Sequence, residues 1–372
     1  MKRLRAIDFF CGTGGFSRGA HQAGFEVAVA FDIDPILTSS FARNFPDTKL
    51  VLADISKLTR AEVLKHAGGE IDLIFGGPPC QGFSSIGRRN KNDPRRTLLQ
   101  SFFQLVADIA PSVFVMENVL GLGFSDAAPE LELALARLPK SYRIIGPTVL
   151  DAADFGAATK RRRLFLIGYD AQRCDPIMLE DILAAKKPAA TVANALDGLK
   201  SISKCNVADD GFDWFSLPKN AKLSDYAQKL VAKDQRSNGN MRTVHTPKVT
   251  ARFETVEQGG TDPVGRHPRL AWDGQCPNLR AGTGSDMGSY QSVRPIHPEE
   301  NRVITVREAA RLQGFPDSHL FHPTIWHSFR MIGNSVSPII AEAVLSVIAG
   351  KILIKPDHDS VEKIQTFASK KS

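Results

Sequence analysis

Through the first half of the chain, short runs of β-branched and aromatic residues alternate with stretches whose apolar positions recur at helical spacing. The runs at 4–10, 27–32, 49–53, 71–76 and 113–118 predict strands, and the stretches at 17–23, 35–45, 59–66 and 98–109 predict helices. That alternation implies βαβ units, hence an α/β fold with a largely parallel sheet covered on both faces. Residues 142–150 and 163–169 read as two further strands joined by a turn-rich, basic connection. From about 170 to 300 the periodicity weakens and Gly, Pro, Asp and Asn accumulate. Two helices are expected beyond it. One spans 305–313, with Thr305 as N-cap and Glu308 completing a capping box; the other spans 338–348, with Pro at its start and Gly350 past its end.

At 372 residues the chain fits two domains, or one large and one small. The formal charge of +7 is compatible with a polyanionic partner without demonstrating one. The excess is local, since 219–294 holds 12 Lys/Arg against 7 Asp/Glu. Five scattered cysteines, with no Cys-x-x-Cys pair, argue against a zinc site and a disulfide framework, and an odd count suits a reducing interior. No run of 18 apolar residues occurs and Asp8 interrupts any N-terminal leader core, so the expectation is a cytoplasmic protein with no membrane association.

The segment Asp8-Phe9-Phe10-Cys11-Gly12-Thr13-Gly14-Gly15-Phe16-Ser17 follows the first strand and opens a helix. Glycines there permit a tight turn and close backbone approach to a ligand. The second strand ends at Asp32-Ile33-Asp34, where an acid can bind ribose hydroxyls. Those two features suit any adenosine-bearing cofactor and do not separate NAD from S-adenosylmethionine. At Asp54-Ile55 a carboxylate could receive an adenine amine and an isoleucine could pack on the ring, or Asp54 could simply cap a helix.

After the fourth strand comes Gly76-Gly77-Pro78-Pro79-Cys80-Gln81-Gly82-Phe83-Ser84. A cysteine on a stiff, polar loop at the carboxyl end of a parallel strand is placed as a nucleophile rather than as a core thiol. Arg88, Arg89, Lys91, Arg95 and Arg96 against Asp93 make the following loop electropositive, which favours the thiolate and suits contact with phosphates. Cys11, Cys174, Cys205 and Cys276 read as inert packing. Strand five ends in Met116-Glu117-Asn118-Val119, so Glu117 can face the Cys80 loop and act as an acid if a partly apolar site raises its pKa. A plain salt-bridge role is the alternative.

These residues together resemble the bacterial 5-methylcytosine DNA methyltransferases, of the restriction-modification or the prophage or orphan type. The similarity rests on six motifs in order: the glycine loop, Pro-Pro-Cys-Gln-Gly-Phe-Ser, Glu117-Asn118-Val119, Asp154-Phe155-Gly156 with Arg161 and Arg163, Arg307 to Pro316, and Gly333-Asn334-Ser335-Val336. The resemblance implies a Rossmann-like S-adenosylmethionine-dependent methyltransferase sheet with a smaller, irregular target-recognition domain. It implies attack by Cys80 on C6 of a flipped-out cytosine, Glu117 at N3 and the exocyclic amine, Arg163 at O2, and Arg161 as support. Cofactor contacts implied in the same way are Phe10, Gly12, Gly14, Gly15, Phe16, Asp32, Ile33, Asp54, Ile55, Pro78, Leu98, Asn334 and Val336, with S-adenosylhomocysteine as product and no metal. Gln81, Ser84, Arg88, Arg89, Arg95 and Arg96 are the expected DNA contacts.

The domain division implied is 1–170 with 325–350 as the catalytic and cofactor-binding unit, 171–324 as the recognition domain, and 351–372 as a tail. Double-stranded DNA is the expected partner of a monomer; a cognate restriction endonuclease is a compatible companion without a stable complex. Two positions depart from the family pattern: Asp32 stands where Glu is frequent, and Thr159 where Gln is common. No role is assigned to Thr159. A transfer-RNA-methylating branch of the same fold lacks support, because its Cys-Phe-Thr signature is absent and a long recognition region is present. A nicotinamide-dependent oxidoreductase would leave Cys80, Glu117 and the arginines unexplained, and an inactive DNA-binding protein would not need them.

Overall fold

A computed structural model describes residues 3–79, 97–123, 128–206, 210–282 and 293–353. Its centre is a seven-stranded sheet of β1 (Arg5–Phe9), β2 (Glu26–Asp32), β3 (Lys49–Leu52), β4 (Leu73–Gly76), β5 (Val113–Asn118), β6 (Tyr142–Asp151) and β7 (Arg162–Asp170), in the order β3-β2-β1-β4-β5-β7-β6. The first five strands are parallel, and β7 runs antiparallel to both β5 and β6. Strands β4 and β5 are buried along their whole length, as expected of parallel strands covered on both faces. The α/β expectation is borne out.

The helices α1 (Gly15–Gln22), α2 (Phe41–Asn44), α3 (Arg60–Ala67), α4 (Thr97–Ile109) and α5 (Ala128–Leu135) connect the strands. The helix expected over 35–45 shrinks to α2, because 35–40 form successive turns. Asp34 drives this, accepting bonds from the amides of Ile36 at 2.8 Å and Leu37 at 3.0 Å. A side chain that binds nearby amides offers the backbone an alternative to the helix.

Beyond the sheet lie α6 (Leu179–Ala184), α7 (Val192–Leu196), α8 (Asp225–Leu230) and α9 (Pro247–Glu254), with a small antiparallel sheet of β8 (Ser203–Lys204), β9 (Phe215–Ser216) and β10 (Arg236–Ser237). Three helices close the described chain: α10 (Val306–Gln313), α11 (Ile325–Asn334) and α12 (Pro338–Ala349). The capping box at Thr305 and Glu308 forms as expected, and Gly314 ends α10 in the left-handed conformation. Helix α12 returns to the large sheet and packs on α1 so closely that a Cβ at Gly19 would fall 2.4 Å from that of Ala341. Helix α11 instead shares a core with α7 and α10 through Phe329, Met331 and Ile332. Ile325–Ala349 is the one described stretch apolar and long enough to cross a membrane, but it is broken at Ser335–Ser337, and 61 % of its most apolar window is buried within the protein.

Candidate active site

The carboxyl ends of β1, β2, β4 and β5 lie side by side, and the chain leaves each of them in an irregular loop. At β1 the glycine loop is tightly wound, with Phe10, Gly12 and Gly14 all at positive φ (64°, 50° and 87°). Asp32, at the end of β2, holds this loop. Its Oδ2 accepts from Gly12 N at 2.8 Å and its Oδ1 from Asp34 N at 2.9 Å. Burial raises the pKa of Asp32, against the lowering effect of those backbone donors. A Cβ at Gly12 would project into open space, so the loop presents a bare backbone face to a crevice, the kind of cradle an adenosine-bearing cofactor needs.

Gly15 serves the opposite face of the loop. A side chain there would collide with Ser335 Oγ at 2.0 Å and with the Val336 carbonyl at 2.3 Å. The bare Cα therefore lets the segment after α11 rest on the loop, which brings Val336 against it and leaves the Asn334 side chain exposed beside it. Phe16 and Ile55 are core residues, buried to within 4 % and 3 % exposure, with the Phe16 ring 4.7 Å from that of Phe75. Ile33, by contrast, is two-thirds exposed. Asp54 caps a short turn through the Ser56 amide at 3.0 Å and hydroxyl at 2.7 Å, which lowers its pKa. The capping alternative for Asp54 is thus what the local geometry displays. Leu98 is half-buried at the start of α4.

Reversal of β7 assembles the second half of the site. Because β7 is antiparallel to β5, its first residues meet the last residues of β5, with Glu117 paired to Phe165 and Asn118 to Leu164. Arg163 then reaches back, and its Nε lies 2.9 Å from Glu117 Oε1. Burial raises the Glu117 pKa, while the positive charges of Arg163 and Arg161 oppose that rise. Gly77 leaves room for the carboxylate, since a Cβ there would come within 3.1 Å of Glu117 Oε2. Asn118 Nδ2 donates to the Pro78 carbonyl at 3.0 Å, fixing the Pro-Pro segment that leads to Cys80.

Arg161 is buried to 2 % exposure and ties three segments together. Its guanidinium donates to Asn278 Oδ1 at 3.1 Å, to the Leu279 carbonyl at 3.3 Å and to the Gly333 carbonyl at 2.9 Å. Thr159 binds the Cys276 carbonyl at 3.1 Å and bridges the same segment, a structural duty that its sequence position gave no means of reading. Burial pushes the Cys174 thiol up to about 12 and raises those of Cys11 and Cys276, as inert packing requires. Cys80, Gln81, Ser84, Arg88, Arg89, Arg95 and Arg96 lie outside the described residues.

Sequence reasoning passed over Asp8, which is fully enclosed, accepts the Ser17 hydroxyl and has a pKa raised well above the usual range by burial. It also passed over Asn278 and the Gly333 carbonyl, whose partnership with Arg161 is visible only once distant segments meet. A separate cavity of about 410 Å³ lies beyond the sheet, lined in part by Trp272, Asn240, Arg302 and Glu308, away from these groups.

Comparison with known proteins places this arrangement. The pattern that defines C-5 cytosine-specific DNA methylases matches residues 4–350. The chain is 38 % identical to the type II methyltransferase M.XorII of Xanthomonas oryzae pv. oryzae, over 97 % of its own length and 88 % of that protein's. A prophage-encoded candidate DNA modification methyltransferase of E. coli superimposes with a TM-score of 0.81 at 36 % identity, covering 93 % of this chain and 99 % of the other. The S. pombe Dnmt2 methyltransferase shares the fold at 20 % identity, with a TM-score of 0.62 over 93 % and 98 % of the two chains.

Proposed function

Because the chain belongs to the C-5 cytosine-specific DNA methylase family, an S-adenosylmethionine-dependent group of transferases, we propose that it methylates C5 of a flipped-out cytosine through a covalent bond from Cys80 to C6. The observation that carries the site reading is the buried Glu117–Arg163 pair beside the Gly77–Pro79 segment that leads to Cys80.

The chemistry follows from these groups. Addition of the Cys80 sulfur at C6 moves electron density to C5 and N3. Glu117, its pKa raised by burial, hydrogen-bonds N3 and the exocyclic amine and limits the charge that builds on the ring. Arg163 holds that carboxyl group in place and meets O2, while Arg161 fixes the backbone around it. S-adenosylmethionine supplies an electrophilic methyl group when bound. The glycine loop from Phe10 to Phe16 would cradle it, Asp32 and Ile33 would serve the ribose, Asp54 and Ile55 the adenine, and Pro78, Leu98, Asn334 and Val336 would be the further contacts. Loss of the C5 proton then lets Cys80 depart and restores the ring.

A base inside a duplex is out of reach of Cys80, so the cytosine must leave the stack at a cost of a few kcal/mol. Contacts from Gln81, Ser84, Arg88, Arg89, Arg95 and Arg96 to the DNA would help to offset that cost. In the same proposal, 1–170 with 325–350 form the catalytic unit, 171–324 the recognition domain and 351–372 a tail. The protein acts as a cytoplasmic monomer on double-stranded DNA, with or without a companion endonuclease.

Incubation with S-adenosylmethionine and duplex DNA carrying 5-fluorocytosine tests the covalent step, because fluorine at C5 is not lost as a proton is. A stable adduct is expected with the intact protein and none with Cys80→Ala. An adduct that survives the substitution would remove Cys80 from the role. Glu117→Gln should lower kcat by about 10²- to 10⁴-fold while S-adenosylhomocysteine binding stays intact. Equal loss of rate and of cofactor binding would make Glu117 a structural residue instead.

A further inference from the structure

Between the glycine loop and the loop after α10 lies a buried polar contact that none of the expected site residues makes. His319 has no exposed surface, and its Nε2 stands 3.1 Å from Thr13 Oγ1 and 3.2 Å from Asn44 Nδ2. The Asn44 amide has a fixed orientation. Its Nδ2 donates to the Leu320 carbonyl at 2.8 Å, and its Oδ1 accepts from the Leu320 amide at 2.8 Å. The Asn44 amide and the Thr13 hydroxyl thus both meet the same ring nitrogen, and the fixed Asn44 amide holds the imidazole against the glycine loop. Three aromatic rings surround the imidazole, with Phe315 at 4.7 Å, Phe321 at 4.9 Å and Phe45 at 6.0 Å between centroids. That enclosure, with Arg18 and Arg307 nearby, keeps the ring neutral.

His319 is itself rigidly placed. Its amide donates to the Pro316 carbonyl, its own carbonyl accepts from Arg307 Nη2 at 2.8 Å, and Ser40 binds the next carbonyl, that of Leu320, at 2.8 Å. Thr13 is the opposite case. It sits between two residues at positive φ, in a loop that also carries the non-glycine Phe10 in the left-handed region. The glycines adopt that conformation freely, whereas Phe10 keeps it only where its surroundings hold it. Asp32 anchors the loop at the Gly12 amide, and the Phe41 and Phe45 rings press on Gly14, within 3 Å of where a Cβ would be. The hydroxyl of Thr13 is a polar link from the loop to the segment that follows α10, beside the packing of Phe315 on Gly15.

We propose that His319 is a positioning residue for the methyl donor, holding the Gly12–Gly14 turn in its binding shape through Thr13 while being held in turn by Arg307 and Asn44. This rests on the reading of the glycine loop as the S-adenosylmethionine site. It gives the recognition side of the molecule a direct mechanical hold on the cofactor loop, independent of Cys80 and Glu117.

Calorimetric binding of S-adenosylhomocysteine to the full chain without DNA, combined with steady-state kinetics, tests it. His319→Phe preserves the aromatic packing and removes the ring nitrogen that meets Thr13. It should weaken binding by about threefold to tenfold and raise KM for S-adenosylmethionine to match, with kcat at saturation within about twofold of the parent. Thr13→Val should lose as much, Thr13→Ser should restore the parent affinity, and the double variant should be no weaker than either single one. Unchanged affinity in Thr13→Val, additive losses in the double variant, or a fall in kcat at constant KM would overturn the proposal. If His319→Phe fails to fold, the contrast between Thr13→Val and Thr13→Ser decides the matter alone. A parent protein that does not bind S-adenosylhomocysteine would refute the reading of the glycine loop itself, and the inference would fall with it.

Discussion

The sheet and the irregular chain from 171 to 324 solve the same problem by different means. Buried backbone carbonyls must find donors in both. In the sheet the ladders supply them, so the interior between strands and helices is filled with apolar side chains such as Phe9, Phe31, Phe102, Phe103 and Phe114, packed ring to edge. The chain from 171 to 324 has few ladders among its described residues, and its carbonyls are collected by buried arginines. Arg307 donates to the carbonyls of Asn238, Pro316 and His319, each at 2.8 Å. Arg269 serves those of Phe253 and His297, and Arg311 serves that of Asp197 while forking onto Asp317 at 2.8 and 2.7 Å. The guanidinium, with five donors in a rigid plane, is suited to binding several loops at once. Irregular chain can thus be packed densely, provided its arginines are inside.

The comparison breaks most visibly at Arg307. Replacement by Met keeps much of the volume and strands three carbonyls, while Asp317 keeps its fork from Arg311, so a loss of about 3–5 kcal/mol is expected in urea unfolding. A loss under 1 kcal/mol would mean that the arginines fill space rather than hold loops. On the sheet side the sensitive feature is close packing without polar partners. Gly19→Ala places a methyl within 2.6 Å of the Glu342 amide, and a cost of about 1–3 kcal/mol should appear as a lower Tm.

The smallest effect concerns the exception within the sheet, Asp8, a carboxyl group enclosed among apolar neighbours. Burial raises its folded pKa, so its contribution to stability is complete below the unfolded value of about 3.9 and is lost as pH rises through the folded one. Asp8→Asn removes this dependence, and its Tm relative to the parent should climb as pH is raised from 4 to 9. A difference that stays level across that range would show that Asp8 titrates normally.

Most strands are legible in the sequence, because a parallel strand covered on both faces leaves a short apolar run that turn residues punctuate. Helix 35–45 is not, since Asp34 competes locally for the amides that a helix would use. In residues 171–324 little could be read beyond the α10 motif. Arg307 and Arg311, one turn apart on α10, are both wholly buried. Their partners lie at 238, 197 and 316–319, and periodicity carries no information about carbonyls that distant.

The sequence alone determined the sheet, the loops at its carboxyl edge and, through motifs in fixed order, the family. Strand patterning and motif chemistry are local properties, so a single chain states them outright. Only the tertiary structure decided that a reversed strand delivers Arg163 to Glu117, that Asp32 holds the glycine loop by its backbone, and that His319 reaches Thr13 across 306 positions of chain. Those contacts join segments whose separation in sequence bears no relation to their distance in space, and each is fixed by burial and hydrogen bonding that exist only after the chain has closed.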